Sequence, residues 1–334
     1  LEFCFNLISY FLQRYCFANS SLRLLGILFM TITHLVTHSG GFHADELLSS
    51  VILTRLFPLA ELIRSRDPFW TNPADEKIIY DVGGVYDFKK QLFDHHQRPC
   101  PLRYDDQCYS SFGLIWKHYG IEYLEERGVS GSDIVTIHKT FDNQFVLPID
   151  LMDNGVLEPS VAGPLSLITL PNLLSSLRPA YDDRSQTTED IAFFKALSIA
   201  SSFVEAVIEK LSAEARARNI VQQAIASVGD SRILELPLSM PFLCALIESE
   251  ASHILFVIYP SGSEWTLNGI KLSENTFDQR ADLPISWAGL RGEALELVTG
   301  VEGALFCHNA RFIATAKTRD SIWKMAEIAV QANK

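Results

Sequence analysis

The sequence predicts an α/β chain, with a mostly parallel sheet domain followed by a smaller mixed α/β domain that holds the substrate. Three observations predict it. Short β-rich runs alternate with helical patterns through the first half. His and Asp residues recur just after those runs, at the strand ends where parallel sheets collect ligands. A proline-rich connection then precedes a second set of strands and helices. At 334 residues the chain is long enough for two domains with separate cores.

The elements follow in order. Residues 1–29 stand apart: they open Leu1-Glu2 and are apolar, but Arg14 and Arg23 break them into runs too short to span a bilayer. The favoured reading is upstream translation or a fragment edge, with an organelle-targeting leader as the alternative. From Met30 a domain begins. Thr31–Thr37 is a short strand and His38–Gly41 a loop. Ala44–Phe57 repeats apolar residues at helical spacing (Leu47, Leu48, Val51, Ile52, Leu56) and stops at Pro58. Leu62–Arg64 and Lys77–Val82 are buried strands, while Ser110–Tyr119 and Ser132–Asn143 are helices.

Prolines 159, 164, 171 and 179 mark the inter-domain connection. Thr187 or Thr188 is expected to cap a long helix reaching about Ser227, with Phe194, Leu197, Val204, Ile208 and Leu211 on its buried stripe. Strands at Ile233–Leu236, His253–Tyr259, Trp265–Ile270, Ala304–Cys307 and Phe312–Ala316 precede a last helix, Ser321–Gln331. The domains are therefore expected at 30–185 and 186–334.

Composition narrows the function. Hydrophobic content of 48% and charged content of 20% describe a soluble globular protein. A net charge of −12 argues against broad binding of duplex DNA through a basic face. It leaves room for short polyanions, because metal ions supply positive charge locally. The six cysteines form no CxxC pair and no zinc-ligand spacing, which fits a reducing compartment. A cytoplasmic location without membrane contact is expected, organelle targeting following only if residues 1–29 are a real leader. Oligomeric state stays open.

The chemistry lies in the Asp and His residues after the strands. His38, His43 and Asp45 follow the first strand, with Glu46 beside them. Asp81 precedes two glycines that let the backbone approach a ligand. Asp94, His95 and His96 end the next strand, and Asp150 and Asp153 lie further on. Gathered on one sheet edge, that many carboxylates need cations to neutralise them. A His/Asp set without thiolates points to Mn²⁺, Mg²⁺ or Co²⁺. The ligand count suits two ions with one Asp bridging, activating a shared water for phosphoester or phosphoanhydride hydrolysis. Glu46 and Asp150 are expected to support ligands more than to ligate.

Thr-His-x-Gly-x-Phe-His-x-Asp-Glu at 37–46, Asp-Val-Gly-Gly at 81–84, Phe-Asp-His-His-Gln at 93–97 and Asp-Asn-Gly at 153–155 resemble the melanocyte-proliferating-gene family of exonucleases, a branch of the DHH phosphoesterase superfamily. Arg64-x-Arg66-Asp67-Pro68 and Ser110-Ser111-x-Gly113-Leu114-Ile115 add to the likeness, which runs from about Thr33 to the last helix. The resemblance implies manganese-type metals and, for eukaryotic relatives, 3′→5′ RNA exonuclease activity. It implies that His38, His43, Asp45, His95 and Asp153 ligate, that Asp81 bridges, and that His96 contacts a substrate phosphate. Asp94 is expected behind the ligands or at a metal's edge. Where other DHH enzymes carry an Asp, this chain has His43, which alters the charge offered to the first metal.

The second half matches the family more loosely, at Phe277-x-x-Arg280, Leu283-Pro284, Trp287-x-Gly289-Leu290-Arg291 and Cys307-His308. Arg280, Arg291 and His308 are candidates for a substrate phosphate or terminal sugar, and Trp265 or Trp287 for stacking a base. Where relatives resemble Gly-Phe-Ile-Gly-Gly, this chain reads Arg311-Phe312-Ile313-Ala314-Thr315. The expected activity is metal-dependent phosphodiester hydrolysis, trimming RNA or short oligonucleotides from the 3′ end in a cleft between the domains. The alternatives are an inorganic pyrophosphatase or small-nucleotide phosphatase, and a non-catalytic metal- or nucleotide-binding regulator.

Overall fold

A computed structural model describes residues 31–129, 131–157, 163, 165, 166, 168–273 and 276–333. The expectations for residues 1–29, for Met30 and for prolines 159 and 164 lie outside the described residues. Two compact units divide between Val204 and Glu205.

The first unit is built on a five-stranded sheet ordered β2-β1-β3-β5-β4. Its strands are β1 (His34–Thr37), β2 (Glu61–Arg64), β3 (Lys77–Tyr80), β4 (Tyr86–Asp87) and β5 (Leu92–Phe93). All neighbours run parallel except β4, which lies antiparallel on β5. Every residue of β3 is buried, as befits a parallel strand covered on both faces. Register positions the site. Val36 pairs with Ile79, and Tyr80 with Phe93, so the chain leaves β1, β3 and β5 on one edge at His38, Asp81 and Asp94.

Helix α1 (Ala44–Leu56) follows β1 directly, and its residues from Ala44 to Leu53 are all buried. A helix buried all round must satisfy its polar side chains within the protein. Ser50 Oγ donates to Glu46 O (2.7 Å) and meets Tyr80 Oη at 2.6 Å, while Ser49 Oγ lies 3.3 Å from Ser111 Oγ. A short α2 (Pro68–Thr71) is capped by Asp67, whose side chain accepts from Phe69 N. Helix α3 (Ser111–Glu126) starts at Ser110. Then α4 (Ile134–Phe141) runs through a π-helical turn, Asp142–Val146, into α5 (Leu147–Asp153). A π turn inside a helix offsets the residues beyond it, and here those residues include Asp150 and Asp153. A further short helix, α6, spans Leu170–Ser175.

Helix α7 runs from Gln186 to Val228. The second unit has its own sheet, ordered β6-β7-β8-β10-β9, from β6 (Ile233–Glu235), β7 (Phe256–Ser261), β8 (Glu264–Gly269), β9 (Ala304–Cys307) and β10 (Ile313–Ala316). Only β6 and β7 pair in parallel, so this sheet is mixed. Helices α8 (Leu243–Glu248), α9 (Glu293–Thr299) and α10 (Arg319–Gln331) accompany it.

Several expectations are corrected. Ser185, not Thr187 or Thr188, caps α7: its Oγ accepts from Thr188 N at 3.1 Å. The buried stripe of α7 begins at Phe193, Ala196 and Ala200, with Phe194 49% exposed, and continues through the expected Val204, Ile208 and Leu211. The division between units falls inside α7 instead of before it, because one long helix contributes to both cores. By length and composition alone α7 could cross a bilayer; one stripe of it, including Phe193, Ala196, Ala200, Val204 and Ile208, is buried. Cys100 and Cys108 are joined in a disulfide with Cα atoms 5.9 Å apart, contrary to the all-thiol expectation. The chain turns back there through the Leu102–Cys108 bridge, a contact that Cys spacing does not reveal. Trp287 is only 2% exposed and packs in the second core with Trp265 against it, so Trp287 offers no stacking face.

Candidate metal centre

The strand-end residues come together around one cavity of about 970 Å³ in the first unit. The β1–α1 connection supplies His38, His43, Asp45 and Glu46. Glu46 sits in the first turn of α1, and its carboxylate accepts the His43 N–H (2.7 and 2.8 Å). Acids are favoured at that helix end by the exposed N–H groups and the dipole. Glu46 Oε1 also lies 3.1 Å from His38 Nε2, with Asp81 Oδ2 on the same nitrogen at 3.2 Å.

Asp81 is the hub. It leaves β3 with φ of +53°, a left-handed conformation that Asp tolerates better than most residues. Its Oδ1 is 3.4 Å from His95 Nε2, which is also 3.3 Å from Asp153 Oδ2 and 3.7 Å from Asp45 Oδ2. Ligand atoms of Asp45, His95 and Asp153 lie within 4.8 Å of one another, as do those of Asp45, Glu46 and Asp81, those of Asp81, His95 and His96, and those of His38, His43 and Glu46. Asp45 reaches the centre from the first turn of α1, the helix expected there, and Asp153 from the end of α5.

Asp94 has a different task. Its Oδ1 accepts from His95 N (2.7 Å), from His96 N (3.1 Å) and from His96 Nδ1 (2.7 Å), while Oδ2 accepts from Gly84 N (2.6 Å). That carboxylate is spent on shaping the loop. By engaging Nδ1 it leaves Nε2 as the free nitrogen of His96, whose side chain is 62% exposed.

Asp150, three residues before Asp153, is also withdrawn from the metals. Its Oδ1 accepts from Ser110 N and Oγ (3.0 and 2.6 Å), and Arg103 Nη1 donates to Oδ2 at 2.6 Å. Arg103 bonds Asp142 through its other arm. Ser111, next in sequence, donates from Oγ to Asp45 Oδ2 at 2.8 Å. Asp150 therefore supports Asp45 through the start of α3. A Cβ on Gly113 would stand 2.3 Å from Asp150 Oδ2, so only glycine leaves room.

The electrostatics describe a site short of positive charge. Burial pulls the His38 imidazole down, but the hydrogen bonds and charges of Asp81 and Glu46 outweigh it and push it up to about 10. His95 rises to about 9 against the same burial, driven by Asp81, Asp45 and Asp153. Burial, with neighbouring acids, pushes Glu46 up to about 8 and Asp153 up to about 8. Asp81, despite burial, is held at about 2 by the two imidazoles. His43 is drawn down by burial and by the Arg178 charge.

The residues fit divalent ions. Asp45 Oδ1 and Asp81 Oδ1 are buried without hydrogen-bond partners, a costly state for carboxylate oxygens unless a cation takes the lone pairs. All the donors are oxygen or imidazole nitrogen, which suits Mn²⁺, Mg²⁺ or Co²⁺.

The second-unit candidates are placed as follows. Arg280 Nη1 donates to the carbonyls of Ala251 (2.6 Å) and Ile254 (3.0 Å). Arg291 lies over the Phe306 ring at 4.9 Å, and His308 Nδ1 accepts from Ala310 N at 3.0 Å. Sequence reasoning missed three arginines that line the metal cavity: Arg66, Arg98 and Arg178. Arg66 belongs to a motif quoted above, whereas Arg178 has no local signal.

A parallel α/β unit that turns unpartnered carboxylates and imidazoles into one cavity defines a metal-dependent hydrolase of the phosphoesterase kind. Residues 34–330 match the family model MYG1_exonuc, described as "Uncharacterised protein family (UPF0160)", and the chain belongs to this MYG1 exonuclease family. A MYG1 protein of Schizosaccharomyces pombe is 33% identical over 322 residues, covering 90% of this chain and 98% of its own. The MYG1 exonucleases of Rattus norvegicus and Homo sapiens are 33% and 32% identical over 318 residues, covering 87% of this chain and 82% and 84% of theirs. A solved RecJ structure from Thermus thermophilus with Mn²⁺ covers 90% of this chain and 52% of its own at 12% identity and a TM-score of 0.24, and nothing is carried over from it.

Proposed function

We propose that the chain hydrolyses phosphodiester bonds with two divalent ions, Mn²⁺ before Mg²⁺ or Co²⁺, and removes nucleotides from the 3′ end of RNA or short oligonucleotides. One observation carries the chemistry: Asp45, Asp81, Asp153 and His95 converge with buried carboxylate oxygens that no protein group satisfies. The rat and human relatives, whose printed name is exonuclease, support a nucleic-acid substrate.

Bound ions would offset the carboxylates, activate a water and polarise a phosphoryl oxygen. The protein groups do the rest. Asp81 spans both ligand sets and would bridge; His38, His43 and Asp45 would serve one ion, and His95 and Asp153 the other. Asp94 accepts from Nδ1 and fixes the His96 ring, so that its imidazolium form can donate from Nε2 to a phosphate oxygen as charge builds there. A second reading, hydrolysis of pyrophosphate or small nucleotides, is favoured by the net charge of −12, which repels long polyanions.

The test offers the protein 5′-labelled RNA, single-stranded DNA, dinucleotides and pyrophosphate, each with Mn²⁺, with Mg²⁺ and without metal. Stepwise shortening of 5′-labelled RNA that needs metal is the expected result. Turnover of pyrophosphate alone would replace the first reading with the second.

A further inference from the structure

We propose that Arg178 is the phosphate-binding arginine of this active site, holding a non-bridging oxygen of the scissile phosphate from within the metal-binding unit. The proposal rests on the phosphodiesterase reading and deepens it by assigning a protein cation to the anionic substrate.

Arg178 is built into the cavity wall. Its Nε donates to the Phe42 carbonyl, and its guanidinium lies 5.8 Å from the centre of the Phe42 ring. The side chain also lies along Gly41, where a Cβ would stand 3.9 Å from Arg178 Cδ, Nε and Nη1, at ordinary contact distance. With Nε pinned, the Nη groups of a planar fork have a set direction. Phe42 is the residue before His43, so the pin places the guanidinium beside that imidazole, whose affinity for protons it lowers.

The energetics make an anion the missing partner. Arg178 is half-buried, and burial pulls its guanidinium below its usual range although the charges of Glu46 and Glu189 oppose it without pairing to it. Its guanidinium makes no ion pair among the described residues, and the bond from Nε to Phe42 O is the only hydrogen bond of that side chain there. Metal ions at His43 and Asp45 would add like charge next to it, an arrangement that disfavours the metal-loaded state by itself. A phosphate between the ions and the guanidinium removes the conflict and takes two donors in the geometry Arg offers. The other arginines on the cavity differ: Arg66 and Arg98 are exposed and make no ion pair among the described residues, free to follow a backbone but not oriented by the protein. In the rest of the unit, Arg64 is committed to Asp190 and Arg103 to Asp142 and Asp150.

The experiment compares full-length wild type with Arg178→Gln, Arg178→Lys and Arg178→Ala. Gln keeps a donor for the Phe42 carbonyl without the charge. Mn²⁺ binding is measured by electron paramagnetic resonance, and binding of inorganic phosphate to the Mn²⁺-loaded protein by calorimetry. Turnover is followed on 5′-labelled oligoribonucleotide. Arg178→Gln should keep Mn²⁺ affinity within about twofold, weaken phosphate by about tenfold or more, and lower kcat roughly 10²-fold, the scale of losing one oriented donor. Lys should recover part of the loss, and added guanidinium should rescue Arg178→Ala.

Unchanged phosphate affinity in Arg178→Gln with Mn²⁺ still bound would overturn the role of Arg178 and leave the phosphodiesterase reading intact. Loss of Mn²⁺ from that variant would also overturn it, showing a purely structural pin. If Mn²⁺-loaded wild type neither bound phosphate nor cleaved any phosphodiester, the function and this inference would fall together.

Discussion

Asp150 and Asp153 leave the same helix three residues apart, and their partners give them opposite tasks. The Asp150 side chain is fully buried and spends both oxygens on Ser110 and Arg103. The Asp153 side chain is 20% exposed and faces His95, Asp45 and Asp81, a cluster with more carboxylates than protein cations. Burial raises both, Asp150 only to about 6 because Ser110 and Arg103 oppose it, Asp153 to about 8 because Asp45 adds to it. A satisfied buried carboxylate is architecture. Unsatisfied oxygens, as at Asp45 and Asp81 beside Asp153, are what a cation would fit.

The sharpest way to break that contrast is on the open side. Asp81→Asn keeps the size and tolerates the positive φ, but removes the charge expected to bridge. Turnover should fall on the order of 10³-fold, ~4 kcal/mol in barrier, with a near-normal circular-dichroism melt. An active variant would refute the bridging role.

On the closed side the expected effect is on stability. Asp150→Ala strands Arg103 next to Asp142 alone, and breaking a buried pair from one side costs about 3–5 kcal/mol. Urea melts measure this. The folded fraction should lose less than tenfold in Mn²⁺ affinity; a normal melt with abolished Mn²⁺ binding would reverse the two assignments.

A smaller disturbance of the same network comes from Gly113→Ala, whose methyl would push on Asp150 Oδ2 from 2.3 Å. A loss of about 1–3 kcal/mol is expected from overpacking, read in the same urea melts. An unchanged midpoint would show that Asp150 is free to move.

The gentlest probe is pH. Glu46 is raised from 4.5 to about 8, and His38 from 6.5 to about 10. In both cases the folded state binds more protons than the unfolded one, so metal-free stability is greatest below the unfolded values and falls as pH climbs from about 4.5 to about 10. Asp81, lowered from 3.8 to about 2, acts oppositely and only in acid. Because metals displace those protons, the rise in Tm on adding Mn²⁺ should grow with pH, by a few degrees per unit. Scanning calorimetry with and without Mn²⁺ at pH 6, 7 and 8 checks the sign.

Much of the site was legible because it is made of short segments. Strand β1 and its loop carry His38 to Glu46 within a few residues, and alternating strands and helices forced the strand ends to one edge. The Asp45–Ser111 and Asp150–Ser110 contacts link residues far apart in sequence, and no local pattern encodes them. The start of the α7 stripe was misread by one position because Phe193 and Phe194 are equally apolar, and only packing chooses between them. The carbonyl partners of Arg280, Ala251 and Ile254, likewise lie far from it in sequence.

By itself, the sequence determined the α/β class, the family and the set of oxygen and imidazole donors, because periodicity and residue type are local properties. The tertiary structure alone decided what each donor does. It spent Asp94 on the loop and Asp150 on the start of α3, left Asp45 and Asp81 open, and brought Arg178 to the cavity from a segment with no motif. Whether a carboxylate is a ligand or a support depends on which neighbours satisfy its lone pairs, and those neighbours come from elsewhere in the chain.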